Sequence, residues 1–202
     1  MRHNPFKIVR DFEETVADYT GSKYAVAIDS CTNAIFLCCK YLNVKEVTIP
    51  NKTYISPAIS IIHAGGKVVI EDKDWLGIYQ LKPYPIFDAA KRFTSGMYIK
   101  NSFMCLSFHI KKQLKLGKGG MILTDSIEAR DWFRKACYEG RSRDKGIAVD
   151  DVNSLGWNMY MTPQTAANGL ALMQNISENN EDLPNNYREL STFNIFKGCK
   201  KI

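Results

Sequence analysis

A chain of 202 residues, 45% hydrophobic and 24% charged, holds enough apolar surface for one packed domain with at most a short appendage. Its formal net charge of +6 is spread along the chain rather than gathered into a basic stripe, which argues against a nucleic-acid surface and suits small anionic ligands. No apolar run approaches the roughly eighteen residues of a membrane span, and the opening MRHNPFKIVRDFEE has no apolar signal region. None of the cysteines (Cys31, Cys38, Cys39, Cys105, Cys137 and Cys199) has C-x-x-C spacing, so a zinc or thioredoxin-type site is not expected. These features predict a reduced, cytoplasmic protein without a membrane anchor or a metal.

Residues 6–20 place Val9, Phe12, Val16 and Tyr19 at steps of three and four before Gly21, the pattern of a helix with a glycine stop. KYAVAI then reads as a buried strand, SCTNAIFLCCKYL as a helix with hydroxyls in its first turn, and EVTIP as a strand ended by Pro50. SPAISIIHAGG is a helix with Pro57 in its first turn, and KVVIE is a further strand. Alternation of helix and strand with short links predicts an α/β fold with a parallel sheet. YPIFD and FMCLSF add two strands, and GGMILTD, following closely, is expected as an antiparallel hairpin partner. SIEARDWFRKACYEG and TPQTAANGLALMQNI are helices opened by Ser126 and by Thr162–Pro163. The stretch RSRDKGIAVDD is a polar loop, and beyond Glu178 the chain turns polar before a short helix-like YRELSTF.

Four places carry candidate chemistry, each with a plainer reading beside it. Ser30, Cys31 and Thr32 open a helix after a strand, where free backbone N–H groups attract anions; ordinary capping explains the same residues. Asp88 ends a strand at the edge where parallel sheets bind ligands, and could pair with a cationic ring nitrogen or serve as a cap. Tyr54 could stack on a flat ligand or simply pack. The loop SFHIKKQLKLGKGG joins two apolar strands, so its ends are pinned, and a desolvated lysine there becomes a nucleophile toward aldehydes. A basic phosphate-binding loop is the other reading, and spacing does not choose among Lys111, Lys112, Lys115 and Lys118.

Taken together, YAVAIDSCTNAI, VTIPNKTYISPAISIIHAGGKVVIED, IFDAAKRF, LSFHIKKQLKLGKGGMILTD and GWNMYMTPQTAANGLALMQ resemble the DegT/DnrJ/StrS family of nucleotide-sugar aminotransferases, which use pyridoxal 5′-phosphate (PLP). The resemblance implies the fold type I PLP-transferase architecture, a three-layer α/β sandwich with a mainly parallel sheet. It implies a PLP-binding large domain over residues 1–178 and, over 179–202, a short remnant of the small C-terminal domain. The family's S-F-H-x-x-K pattern falls on Ser107, Phe108, His109 and Lys112, so Lys112 is the implied Schiff-base lysine, with His109 and Asp88 beside it in the catalytic set. By the same carry-over, Ser30, Cys31, Thr32 and Ser107 contact the cofactor phosphate, Tyr54 stacks on the ring, and Asp88 keeps the ring nitrogen protonated. Lys91 stands where a Gln or His normally touches the ring hydroxyl. Asn158 falls on the asparagine that reaches the neighbouring subunit's cofactor, which implies a homodimer with shared sites.

The implied activity moves an amino group from an amino acid, glutamate in most of the family, to a keto sugar nucleotide. An alternative is a PLP-binding remnant acting as a regulator or dimer partner. The departures motivate it: Cys31 for Gly, Lys91 for Gln or His, Lys118 for Glu, Tyr160 for Arg, a strand–helix unit missing between Asp74 and Tyr84, and most of the C-terminal domain. Members that dehydrate sugars carry histidine at the position of Lys112, so that chemistry is not expected here.

Overall fold

The computed structural model describes residues 4–202; the first three residues of the opening segment MRHNPFKIVRDFEE lie outside the described residues. The chain forms β1 (Tyr24–Ile28), β2 (Glu46–Pro50), β3 (Lys67–Glu71), β4 (Tyr79–Leu81), β5 (Ile86–Asp88), β6 (Phe103–Ser107), β7 (Gly120–Thr124) and β8 (Lys200–Lys201). Between them run α1 (Lys7–Thr20), α2 (Cys31–Tyr41), α3 (Ile55–His63), α4 (Ile127–Ala136) and α5 (Pro163–Met173).

Each helix carries the stop or start its sequence encodes. Gly21, at φ 78°, ends α1 in the left-handed region that glycine enters without a steric penalty, and its N–H returns to the Ala17 carbonyl. The hydroxyls of Ser30, Ser126 and Thr162 accept from the N–H groups of Asn33, Ala129 and Thr165, capping α2, α4 and α5. The polar loop after α4 holds one 3₁₀ turn, Ile147–Val149, and the helix-like tail becomes two, Leu190–Thr192 and Asn194–Phe196.

The strands lie in the orders β1-β7-β6-β5-β4 and β2-β3-β8. A bridge between Thr48 and Lys82, with both backbone hydrogen bonds made, ties the second group to the residue after β4. Followed through these pairings, β1, β2, β3, β5, β6 and β8 run one way, and β4 and β7 run the other. The mainly parallel sheet therefore holds for strand direction, while β7 returns as the expected hairpin partner of β6 and makes antiparallel ladders with both β6 and β1. β4 was not anticipated; it occupies the stretch where the strand–helix unit is missing and pairs antiparallel with β5.

Side chains alternate across the sheet. Val26, Ile28, Phe103, Cys105 and Ile122 enter one core with α2, α3 and α4. Ala25, Ala27, Met104, Leu106, Met121 and Leu123 enter the other with Phe12 of α1 and Ala166 of α5. This is the three-layer sandwich. The tail beyond Glu178 packs on it: Leu190 and Phe196 are buried in the first core, and β8 extends β3. Among the described residues no helix is long and apolar enough to cross a membrane.

Candidate active site

The carboxyl ends of β1, β5 and β6 converge. β5 and β6 pair in parallel register, Asp88 opposite Cys105, so the Asp88 side chain leaves the sheet beside the start of α2. Asp88 is only 4% exposed. Its Oδ1 accepts from the Ala90 N–H at 2.9 Å and its Oδ2 from the Tyr79 hydroxyl at 3.0 Å. The Tyr79 hydroxyl accepts in turn from the Thr53 hydroxyl at 3.1 Å. Burial pushes the Asp88 carboxyl above the usual aspartate range, while the Ala90 and Tyr79 donors and the Lys112 and Lys91 charges pull it back.

Lys112 lies in the loop between β6 and β7, which is pinned as its apolar flanks predict. Phe108 and Gly119 pair through the backbone, Leu116 N–H reaches the Phe108 carbonyl, and Leu114 is buried. A turn from the His109 carbonyl to the Lys112 N–H, at 2.9 Å, leaves the Lys112 side chain half-buried. Among the described residues its ammonium makes no hydrogen bond or ion pair. Burial lowers its pKa, with Asp88 opposing. A poorly solvated amine is thus set near a buried carboxylate, the arrangement nucleophilic chemistry at a carbonyl needs.

The start of α2 forms the third side. Ser30 caps the helix, and its hydroxyl also donates to Asp29 at 3.2 Å. The Cys31 thiol turns inward to the Cys105 carbonyl at 3.5 Å, and burial raises its pKa well above the usual thiol range. Its bulk therefore goes into the core rather than over the helix start. Gly120 packs directly under the Ser30–Cys31 peptide; a Cβ there would overlap the Ser30 carbonyl and the Cys31 nitrogen. Lys118 pairs with Asp29, just beyond β1, at 3.2 Å.

Of the predicted site residues, Asp88, Lys112, Lys91 and Cys31 lie close enough to perturb one another's ionisation. Thr32 follows in the first turn of α2, its carbonyl accepting from Ser60. Ser107 ends β6, and its hydroxyl is 3.5 Å from the His109 N–H. His109 is exposed, its Nδ1 accepting from the Lys111 N–H at 3.3 Å. Asn158 stands apart: it is exposed and donates to Glu139 at 3.1 Å.

Two aromatics not anticipated from the sequence join the cluster. Tyr79 arrives on β4. Tyr187 arrives from the tail: its ring centroid is 5.7 Å from that of Tyr54, and Lys91 Nζ lies 4.4 Å from its centre. The Tyr187 hydroxyl is pushed up to about 12 by burial and then by the Asp88 charge, which places it at the same site. Lys91 also donates to the Pro184 carbonyl at 2.6 Å, Leu183 N–H to the Lys91 carbonyl at 2.9 Å, and Asn185 to the Lys52 carbonyl at 3.0 Å. The tail is strapped across the site.

The sequence pattern of the DegT/DnrJ/EryC1/StrS aminotransferase family matches residues 3–97 and 88–193. The chain belongs to this family. It is 34% identical to the GDP-perosamine synthase of Caulobacter vibrioides over 217 residues, 85% of this chain and 58% of that protein. With the spore coat polysaccharide biosynthesis protein SpsC of Bacillus subtilis it shares 28% over 222 residues, 84% of this chain and 57% of that one. The chain thus spans little more than half the length of these relatives. The sugar aminotransferase CalS13 of Micromonospora echinospora superposes with a TM-score of 0.72 at 15% identity, over 84% of this chain and 61% of that one. Spr1654 of Streptococcus pneumoniae, solved in a PMP form, superposes at 0.67 with 16% identity, over 84% of this chain and 59% of that one. The last two establish the shared fold.

Proposed function

We propose that this member of the family binds PLP at the Asp88–Lys112 cluster and transfers an amino group from glutamate or a similar amino acid to a keto sugar nucleotide. The observation that carries the reading is a half-buried, unpaired lysine amine beside a buried carboxylate, both set at the start of a capped helix. The residues fit the group. The α2 start offers backbone N–H groups to a phosphate. Asp88 lacks a full countercharge, which a protonated ring nitrogen supplies. Tyr54, 53% exposed and 5.7 Å from Tyr187 between ring centroids, is the aromatic available to stack on the ring.

Bound there, PLP supplies an aldehyde that condenses with amines and a cationic ring that draws electrons from the substrate carbon. Lys112 Nζ, its charged form disfavoured by burial, would be the amine that holds the cofactor through its aldehyde and, when not so engaged, the group that takes up and returns a proton. Asp88 would keep a ring nitrogen set beside it protonated. Ser30, Thr32 and Ser107 would hold the phosphate, and Lys91, whose ammonium donates to the Pro184 carbonyl and lies over the Tyr187 ring, would be the residue nearest the ring hydroxyl. His109 borders the loop that carries Lys112.

Asn158 serves the site of a second copy, which makes the active form a homodimer. Ile147, Val149 and Leu155, at 63%, 75% and 90% exposure, are apolar side chains left open in the loop that precedes Asn158 in the chain, available to that contact.

The test is direct. Added PLP should give a visible absorbance band, and borohydride should fix its mass on the peptide containing Lys112. Lys112→Ala should abolish both; persistence of the band and of the trapped mass would assign the chemistry elsewhere. Glutamate should then release one equivalent of 2-oxoglutarate per site. Retained PLP without that release would favour a binding role alone.

A further inference from the structure

The outer edge of β1 is covered in an unusual way. Glu13 of α1, 1% exposed, accepts from the Ala27 N–H at 2.9 Å. It is held by Arg134 at 2.6 Å and by Arg143 at 3.4 Å, and Arg143 also donates to the Ala27 carbonyl and to the Cys137 sulfur. Over this buried group opens a cavity of about 400 Å³. Six cations line it: Arg10 from α1, Arg130, Arg134 and Lys135 from α4, and Arg141 and Arg143 from the following loop. None of them belongs to the Lys112 cluster.

The charges do not balance. Asp144 pairs with Arg10, Asp131 with Arg130, and Glu13 with Arg134 and Arg143. Lys135 and Arg141 have no carboxylate partner among the described residues, and three carboxylates face six cations. The Nε–H groups of Arg134, Arg141 and Arg143 are buried without an acceptor, and the Arg143 side chain is only 7% exposed. Crowded like charges and orphaned buried donors both cost free energy, and native proteins seldom leave them uncompensated. A carboxylate ligand would bring one charge and two oxygens. A phosphate brings nearly two charges and several acceptor oxygens, and it suits the planar fork of arginine. The cations converge from three segments on one concavity rather than forming a stripe, which fits a small molecule and not a nucleic-acid strand.

We propose that this cavity is a second anion site, separate from the cofactor site, which takes the phosphate or diphosphate group of a small molecule. The group could arrive free or carried on a nucleotide, and the binding chemistry is the same. The proposal does not depend on PLP binding.

Calorimetric titration of the full chain at constant ionic strength, with pyrophosphate, UDP and uridine as probes, tests it. Pyrophosphate and UDP should bind and uridine should not; UDP binding the tighter would identify a nucleotide as the source, and pyrophosphate the tighter a free anion. Lys135→Ala and Arg141→Ala remove cations that hold no carboxylate, so neither orphans a buried charge, and each should weaken binding roughly tenfold or more. Should Arg141→Ala fail to fold, Lys135→Ala, at an exposed position, reads the same effect. Ser30→Ala, at the other anion site, and Lys73→Ala, at an exposed lysine elsewhere, should leave binding unchanged. The proposal is overturned if neither anion binds, if uridine binds as tightly as UDP, if Lys73→Ala weakens binding as much as Lys135→Ala, or if only Ser30→Ala weakens it.

Discussion

The Tyr79 hydroxyl donates to Asp88 Oδ2 at 3.0 Å while accepting from Thr53, so the carboxylate proposed to face the cofactor ring is oriented by β4. Burial keeps the Tyr79 hydroxyl well above the usual phenol range, so it stays a donor through the working pH range. Tyr79→Phe removes one donor from a buried carboxylate. Hydrogen bonds to charged groups are worth about 1.5–3 kcal/mol, and the variant should lose about that much stability in urea unfolding. It should also bind PLP more weakly. A variant as stable as the parent, with unchanged affinity, would show that Asp88 is oriented by the Ala90 N–H alone.

Tyr187 lies beside Tyr54 and under the Lys91 ammonium, and it feels the Asp88 charge. It therefore fills space beside Tyr54 at the proposed ring site. Tyr187→Ala should speed PLP association several-fold in stopped-flow absorbance and raise the affinity. The lost aromatic and cation–π contacts should cost about 1–2 kcal/mol of stability. Slower association would instead make Tyr187 part of the binding wall.

Much of this was legible along the chain because it is local. Apolar runs such as KYAVAI and FMCLSF, and caps at Ser30, Ser126 and Thr162, carry their own structural instructions. β4 and β8 were not legible. YQL begins two residues after a glycine and ends two residues before a proline, and β8 is a pair of exposed lysines whose strand form exists only through β3. The candidate site divides the same way. Asp88 and Lys112 sit in recognisable short motifs. Tyr79 and Tyr187 reach the cluster by tertiary routes, which local periodicity does not report. Asp29 as the partner of Lys118 also needed the structure, because the two are far apart in sequence.

Gly120 tests how tightly the start of α2 is built. Its missing Cβ is the space occupied by the Ser30–Cys31 peptide, and that obstacle is backbone, which cannot rotate aside. Gly120→Ala should push the helix start away from β7, destabilising the fold by about 1–3 kcal/mol and weakening PLP binding. Gly146→Ala, at a glycine where an added Cβ would meet no atom within 4 Å, is the comparison and should leave PLP affinity unchanged. Equal effects of the two on PLP affinity would refute the close-approach account.

Asp88 sets a trade between stability and the proposed cofactor binding that pH can expose. Its carboxyl is raised by burial, so the folded state binds that proton more tightly than the unfolded chain. The associated stability is present below the ordinary aspartate range and is lost as pH rises through the folded-state value. Asp88→Asn removes the ionisation while keeping an oxygen for the Ala90 N–H. Without PLP, the variant should resist urea better than the parent near neutral pH, and the advantage should shrink as pH falls below the ordinary aspartate range. Lys112 contributes with the opposite sense: its lowered pKa gives stability above the ordinary lysine range that is lost as pH falls through the folded value, and removing Asp88 moves that loss to lower pH. With PLP the order should reverse, because the parent gains ligand stabilisation that the variant, lacking the countercharge for the ring nitrogen, binds about tenfold or more too weakly to match. Urea midpoints across pH, with and without PLP, read both signs. If the parent is the more stable without PLP near neutral pH, burial of Asp88 is not a cost and the carboxylate is already satisfied by Tyr79, Ala90 and Lys112.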